Sequence, residues 1–330
     1  MNIFVTLDYE LFFGSKSGSV EQCIIEPTQA LLDIVEPLDV KFTCFVDSGY
    51  LIALERQMDE FPRLKQDYDK VTDQIRYLSQ NGHGIELHVH PHWEDSRFDG
   101  NRWIFDTKRY KLAEFDEQEV LRIVTDYTQI LKKITGKSPV AYRAGGWSAQ
   151  PFEPIGKALR ANGILKDSTV YPEGYYQSQK QVFDFRKVPK YTTGYRFSTD
   201  LVSIDANGDF EEIPISSIKV RPTFFWRFAL EKIKKRPEHV SYGDGAAIAM
   251  SKTEILRLMT FSSYSVVSID GYKSKLITSA FKKYKQKATG PQNFVLIGHP
   301  KAFTPYSLKK LTHFLKRTVK EHKYCTYTNM

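Results

Sequence analysis

Short apolar runs alternate with longer amphipathic stretches through most of this chain. That alternation restricts the fold to α/β architecture, because parallel strands need crossover connections that cover the sheet with helices. The runs read as strands lie at residues 3–7, 40–46, 84–89, 140–143, 164–167, 293–298 and 324–327. Helical stretches fall between them at about 28–38, 61–80, 116–135, 151–162 and 307–322. Asn81-Gly82 and Gly136 supply stop signals after two of these. A long aromatic loop occupies 93–105. The stretch 171–290 is the least regular; it contains β-like pieces such as Ile213-Pro214-Ile215 and a Gly243-Asp244-Gly245 turn, and reads as an elaboration on the main fold. With 330 residues and 41% hydrophobic composition, the chain can bury the core of one large α/β unit spanning 1–330.

Bulk properties exclude several classes. No run of about 18 apolar residues is present, so no transmembrane helix is expected. The three cysteines, Cys23, Cys44 and Cys325, are scattered, which fits a reducing compartment and no zinc-finger spacing. The opening residues Met1-Asn2-Ile3-Phe4 lack the basic start and h-region of a secretory signal, and the expected location is cytoplasmic. The net charge is +8, with basic clusters at 227–236, 273–287 and 309–323. No nucleic-acid signature accompanies them, so they read as solvated helix faces. The run Phe224-Phe225-Trp226 beside the first cluster reads as a buried aromatic group under such a face, with peripheral contact to an anionic membrane or a diphosphate as the alternative.

Polar groups gather at the downstream ends of the strand runs. The first ends in Asp8-Tyr9-Glu10, whose two acids share one strand face. The third carries His88, His90 and His92, and the strict alternation of Ile85, Leu87 and Val89 with Glu86, His88 and His90 places the polar side chains together. Pro91 ends that strand and puts His92 at its mouth. Others end at Arg143-Ala144-Gly145-Gly146-Trp147 and at Gly298-His299. In (β/α) barrels the strand C-termini form the rim of the active site, so these groups converge on one pocket. Clustered imidazoles beside carboxylates suit a metal site. Taken singly, Arg143, His299 and Asp167 each have an ordinary alternative, as a salt-bridge, core or turn residue.

In this order the motifs resemble those of the polysaccharide deacetylase family, metal-dependent carbohydrate esterases sharing the chitooligosaccharide-deacetylase homology domain. Thr6-Leu7-Asp8-Tyr9-Glu10 resembles the first motif. Asn81-Gly82-His83-Gly84-Ile85 with His88-Val89-His90-Pro91-His92 resembles the second. Arg143-Ala144-Gly145-Gly146-Trp147 is a variant of the third, Asp167-Ser168-Thr169-Val170 resembles the fourth and Leu296-Ile297-Gly298-His299 the fifth. The likeness covers about 1–172 and the last 40 residues. Two departures stand out: Tyr9 separates the two acids of the first motif, and the third motif lacks proline.

The resemblance implies a distorted (β/α) barrel of about seven parallel strands, elaborated before its last strand–helix unit. It implies a divalent metal held by Glu10, His88 and His92, most simply zinc, with cobalt, nickel and manganese as alternatives. Asp8 is the expected base, oriented by Arg143, although exchange of roles between Asp8 and Glu10 stays open. His299, tuned by Asp167, is the expected acid. His90 is expected beside the metal or against substrate, and Trp93, Trp103 and Trp147 are candidate platforms for a sugar ring. The implied substrate is an N-acetylated sugar, nucleotide- or lipid-linked, in surface-polysaccharide metabolism. Two rival readings are a hydrolase of a non-sugar amide on the same fold, working without metal, and a catalytically silent glycan-binding relative.

Overall fold

The computed structural model describes residues 1–178 and 181–330. Strand β1 (Asn2–Tyr9) leads through α1 (Glu26–Val35) to β2 (Thr43–Asp47). Two helices in tandem, α2 (Ser48–Gln57) and α3 (Pro62–Gln80), then carry the chain to β3 (Gly84–Val89). A small hairpin of β4 (Arg97–Phe98) and β5 (Trp103–Ile104) precedes α4 (Glu117–Thr135), β6 (Ala141–Ala144), α5 (Glu153–Ala161) and β7 (Lys166–Asp167). A second hairpin, β8 (Tyr175–Gln177) with β9 (Val182–Asp184), leads to β10 (Tyr195–Phe197) and β11 (Phe210–Glu212). Next, β12 (Ser217–Val220) pairs with β13 (Ser263–Val266), and helices α6 (Pro222–Lys234) and α7 (Lys252–Thr260) lie between them. Helix α8 (Ile277–Lys287), β14 (Asn293–Gly298), α9 (Pro305–Thr318) and β15 (Lys323–Tyr324) complete the fold.

The main sheet runs β10-β11-β7-β6-β3-β2-β1-β14, with β15 also on β1. Every neighbouring pair is parallel except β10–β11. The seven parallel strands expected are present, the last as the short β15 beside the start of β1, and β11, from the irregular stretch, adds an eighth. Part of 171–290 belongs to this sheet. After β11, Ile213 and Ile215 donate to the carbonyls of Asp167 and Val170, each at 2.8 Å, and Ser216 donates to Val295 of β14 at 3.1 Å. Ile269 donates to Ile297 at 2.8 Å. These bonds draw the two ends of the sheet together and curl it into a distorted barrel.

Helices form the outer layer for ordinary reasons. Asp116 caps α4 in a reciprocal capping box with Glu119, and Gly136 ends it at φ +73°, a left-handed conformation that glycine adopts without strain. Between them Val120, Ile123, Val124, Tyr127, Ile130, Leu131 and Ile134 form one buried stripe. Truncating any of these aliphatic chains to alanine costs about 2–5 kcal/mol. The α6–α7 stretch differs: neither helix contains a buried residue. Phe224 and Phe225 are half-buried and Trp226 is 55% exposed, so the aromatic run is not the buried cluster expected from the sequence.

Candidate active site

Strand parity sets the floor of the site. Tyr9 points out of the barrel, where its hydroxyl donates to Gln74 of α3 at 2.8 Å. Asp8 and Glu10 therefore point in, and both are almost fully buried. Asp8 is secured by Arg143 at the matching end of β6: Nη1 donates to Oδ1 at 2.6 Å. The rest of the guanidinium is equally occupied. Nε donates to the Ser168 carbonyl at 2.9 Å, and Nη2 donates to Thr6 Oγ1 at 3.0 Å and Ser168 Oγ at 3.1 Å. Its carbon sits 4.0 Å from the centre of the Phe45 ring. Ser168 Oγ also accepts from the Tyr327 hydroxyl at 2.6 Å, so the C-terminal segment buttresses the same network. Burial alone would raise the Asp8 pKa, but Arg143, His88 and His299 outweigh it and hold the carboxyl below its ordinary value.

Glu10 divides its two oxygens. Oε1 accepts from the Lys301 ammonium at 2.8 Å; Oε2 lies 3.2 Å from His88 Nε2 and 2.7 Å from His90 Nε2. Against the burial penalty, Lys301 and then His90 and His88 keep Glu10 ionised far into acid. Lys301 also donates to the Leu11 carbonyl and lies 5.0 Å from the Phe12 and Phe13 ring centres. His88 is fixed by a 2.9 Å contact of Nδ1 with the Arg143 carbonyl, which leaves Nε2 facing the acids. Although burial disfavours its cation, Asp8 and Glu10 prevail and raise its pKa.

Glu10, His88 and His90 bring three ligand atoms within 4.8 Å of one another. This trio differs from the set implied by the family motifs, in which His92 stood in place of His90. The cause is Pro91. The strand's inward parity continues through His90, whereas residues Pro91–Glu94 form a 3₁₀ turn that swings His92 sideways. There His92 lies against Phe13 (4.6 Å between centroids), Phe105 (5.6 Å) and Tyr110 (6.1 Å, stacked). Burial and the nearby His90 keep its pKa well below the ordinary value, so the ring is neutral.

The donor set fits a metal on one further observation. Nδ1 of His90 and both ring nitrogens of His92 are buried and have no hydrogen-bond partner among the described residues, while His90 Nε2 faces only the Glu10 carboxylate. Three unsatisfied buried nitrogens are costly unless something binds them. His90 also has a prepared seat. A Cβ on Gly145 would lie 2.6 Å from His90 Nδ1, so the Gly-Gly of the third motif makes room for this imidazole.

His299 closes the pocket from the end of β14. Its Nε2 lies 3.6 Å from Asp8 Oδ2 and 3.9 Å from Glu10 Oε1. Its Nδ1 contacts Asp270 Oδ2 at 2.8 Å, and its backbone N–H donates to Asp270 Oδ1 at 2.7 Å. Burial opposes the imidazolium, but Asp270, with Asp8 and Glu10, raises the pKa to about 9. The partner of His299 is thus Asp270 and not Asp167. Asp167 is turned away: it accepts from Thr169 N–H at 2.8 Å and Thr169 Oγ1 at 3.1 Å, and faces Glu212 across the β7–β11 pair. Burial raises both carboxyls of that pair; Asp167 raises Glu212 further, whereas the hydrogen bond from Glu212 lowers Asp167, so the shared proton rests on Glu212.

Of the expected sugar platforms, Trp93 is buried and donates to Asp47 at 2.6 Å, and Trp103 is packed beneath it at 4.9 Å between centroids; both are core. Trp147 is half-buried at the rim, at φ +56°, against Tyr171 and Phe183. Asp47, Asp270 and Lys301 were not singled out from the sequence. Each had a signal: Asp47 ends β2, Asp270 follows the run Val266-Val267-Ser268-Ile269, and Lys301 lies two residues beyond His299. Burial pushes Asp47 up to about 6, and its Oδ1 has no partner among the described residues.

A curled parallel sheet with acids and histidines at its strand ends defines the class, and residues 21–151 match the family model for polysaccharide deacetylase. Residues 21–151 thus form a polysaccharide deacetylase-like region. The matched span holds His88, His90, His92 and Arg143, while Asp8, Glu10 and His299 lie outside it. No curated protein matches the chain. Among solved structures, PuuE allantoinase superposes with a TM-score of 0.51 at 14% identity, covering 98% of this chain and 86% of that one. A polysaccharide deacetylase of Mycobacterium smegmatis gives 0.49 at 15% identity, covering 98% and 87%. The allantoinase likeness shows the shared fold.

Proposed function

We propose that this chain is a metal-dependent hydrolase that removes the acetyl group from an N-acetylated sugar. The observation that carries this reading is an ionised Asp8, held by Arg143, facing a His299 that Asp270 keeps protonated, 3.6 Å apart over the Glu10–histidine cluster. A base and an acid set apart by their partners are what acetamide hydrolysis requires. Asp8 accepts the proton of the attacking water. His299 Nε2 returns a proton to the departing amine, and acetate and an amino sugar result. The structure favours Asp8 over Glu10 as the base, because Glu10 is already bound by Lys301 and two imidazoles. Glu10 and His88, with His90 and His92 beside them, would hold the divalent ion, most simply zinc. When bound, the ion polarises the acetamide carbonyl and acidifies water. Trp147 is the remaining aromatic candidate to meet the sugar ring.

All three cysteines are buried and unpaired, and no helix of the described residues is long and apolar enough to cross a membrane. The unpaired thiols suit a reducing compartment, and our reading is of a cytoplasmic enzyme acting on a nucleotide- or lipid-linked intermediate of surface polysaccharide.

Lys301 favours one rival. A buried ammonium on Glu10 supplies positive charge where a metal would, which suits a metal-free hydrolase of a non-sugar amide. Elemental analysis of the purified protein, with acetate release from UDP-linked N-acetyl sugars, separates the two readings. The deacetylase reading expects a stoichiometric divalent ion that is lost in His88→Ala, and turnover reduced about a thousandfold in Asp8→Asn. Absence of metal, with no turnover after adding zinc, cobalt, nickel or manganese, rejects it in favour of the rival.

A further inference from the structure

The connection between β12 and β13 reverses the usual distribution of side chains. Of the sixteen large hydrophobic side chains exposed among the described residues, nine lie between 226 and 261. On α6, Trp226, Leu230 and Ile233 are spaced i, i+4 and i+7, which stacks them on one face. Ile233 is 75% exposed. The loop before α7 contributes Ala247-Ile248-Ala249-Met250, all exposed and uncharged, and α7 adds Leu256. Trp226 is held in place by donating to the Met259 carbonyl at 3.1 Å.

Cations rim this apolar surface. Residues 221–261 contain eight Lys and Arg against four Asp and Glu, which is half of the chain's net charge of +8. Arg227, Lys235 and Lys252 make no salt bridge among the described residues. An apolar face edged by unpaired Lys and Arg, with a Trp at its border, complements an anionic bilayer surface. The cores of protein interfaces are, by contrast, depleted in lysine.

The segment is also tied to the pocket. Gly243 donates to the Lys301 carbonyl at 2.9 Å, Tyr242 to Phe303 at 3.0 Å and Ala246 to Lys16 at 2.8 Å. The apolar surface thus sits on the chain that borders the site.

We propose that the α6–α7 segment docks on the surface of an anionic lipid bilayer and brings the site to a lipid-linked acetylated sugar. Docking stands on this surface alone; only the nature of the substrate rests on the deacetylase reading. The test is co-sedimentation of the full chain with vesicles of phosphatidylglycerol and phosphatidylcholine in equal parts, against phosphatidylcholine alone. The wild type is expected to partition at least tenfold more strongly onto the anionic vesicles. Ile233→Ser/Leu256→Ser and Lys235→Glu/Lys252→Glu should each reduce that partitioning tenfold, with melting and turnover of a water-soluble acetylated sugar unchanged. Equal binding to both vesicle types, or binding unaltered in both variants, overturns the proposal. So does a concentration-dependent dimer that the same variants dissociate, without vesicle binding. Vesicle binding without turnover of any acetylated sugar would reject the deacetylase reading and leave docking intact.

Discussion

The barrel interior and the α6–α7 surface are opposite departures from the same rule. Inside, Arg143, Asp8, Glu10, Lys301 and Asp167 are buried charges or acids, each engaged by a partner. Outside, Trp226, Leu230, Ile233 and Leu256 are apolar and face solvent. Polar atoms are buried at a cost that only paired, hydrogen-bonded geometry offsets. Apolar patches are left exposed where something is to cover them. The interior is therefore costly to disturb, whereas the surface can be altered with little effect on folding.

The largest effect should come from breaking the interior at its most connected point. Arg143→Met leaves Asp8 and Ser168 without their donor and should destabilise the protein by about 3–5 kcal/mol in denaturant unfolding; a loss below about 1 kcal/mol would mean that the interior network is not what holds the barrel. Asp270→Asn should lower turnover by about 10²-fold. It should also move the alkaline limb of the pH–rate profile to lower pH, because Asp270 is the leading reason that the His299 cation survives to about 9. An unmoved limb would show that another group is the acid.

Glu212→Gln tests the acid pair by linkage. Burial and Asp167 raise the Glu212 pKa in the folded state. The folded protein therefore holds a proton that the unfolded chain gives up above about pH 4.3, and wild-type stability falls as pH rises through that window. Glutamine carries no such proton, so the variant should gain on the wild type between pH 5 and 8, by an amount on the order of 1 kcal/mol. Parallel melting curves across that range would count against the shared proton. The smallest effect is expected outside: Ile233→Ser should change stability by no more than about 0.5 kcal/mol.

Much of this contrast could be read along the chain. The buried runs of β1, β3 and β14 identified themselves, and alternation alone placed Asp8 and Glu10 on one face and Tyr9 on the other. His88, Arg143 and His299 were found because polar residues end apolar strands. Reading stopped short where an adjacent turn or a distant partner decides. Pro91 turns His92 into an aromatic box and leaves His90 on the strand's line, a distinction that ligand spacing cannot make. Asp167 and Asp270 each follow an apolar run, but only Asp270 lies beside β14. Trp93 and Trp103 were indistinguishable from rim residues until the loop packed over them.

Period-two alternation and proline's missing donor act within a few residues, so the sequence already settled strand parity, strand ends and the polar rim. The partners of the buried charges depend on closure of the barrel by 213–216 and 267–269, and on the return of Tyr327 to Ser168. Those contacts join residues as many as 291 positions apart, as in Lys301 with Glu10. Desolvation must be balanced among whichever groups the closed fold brings together, and only the folded barrel specifies which groups those are.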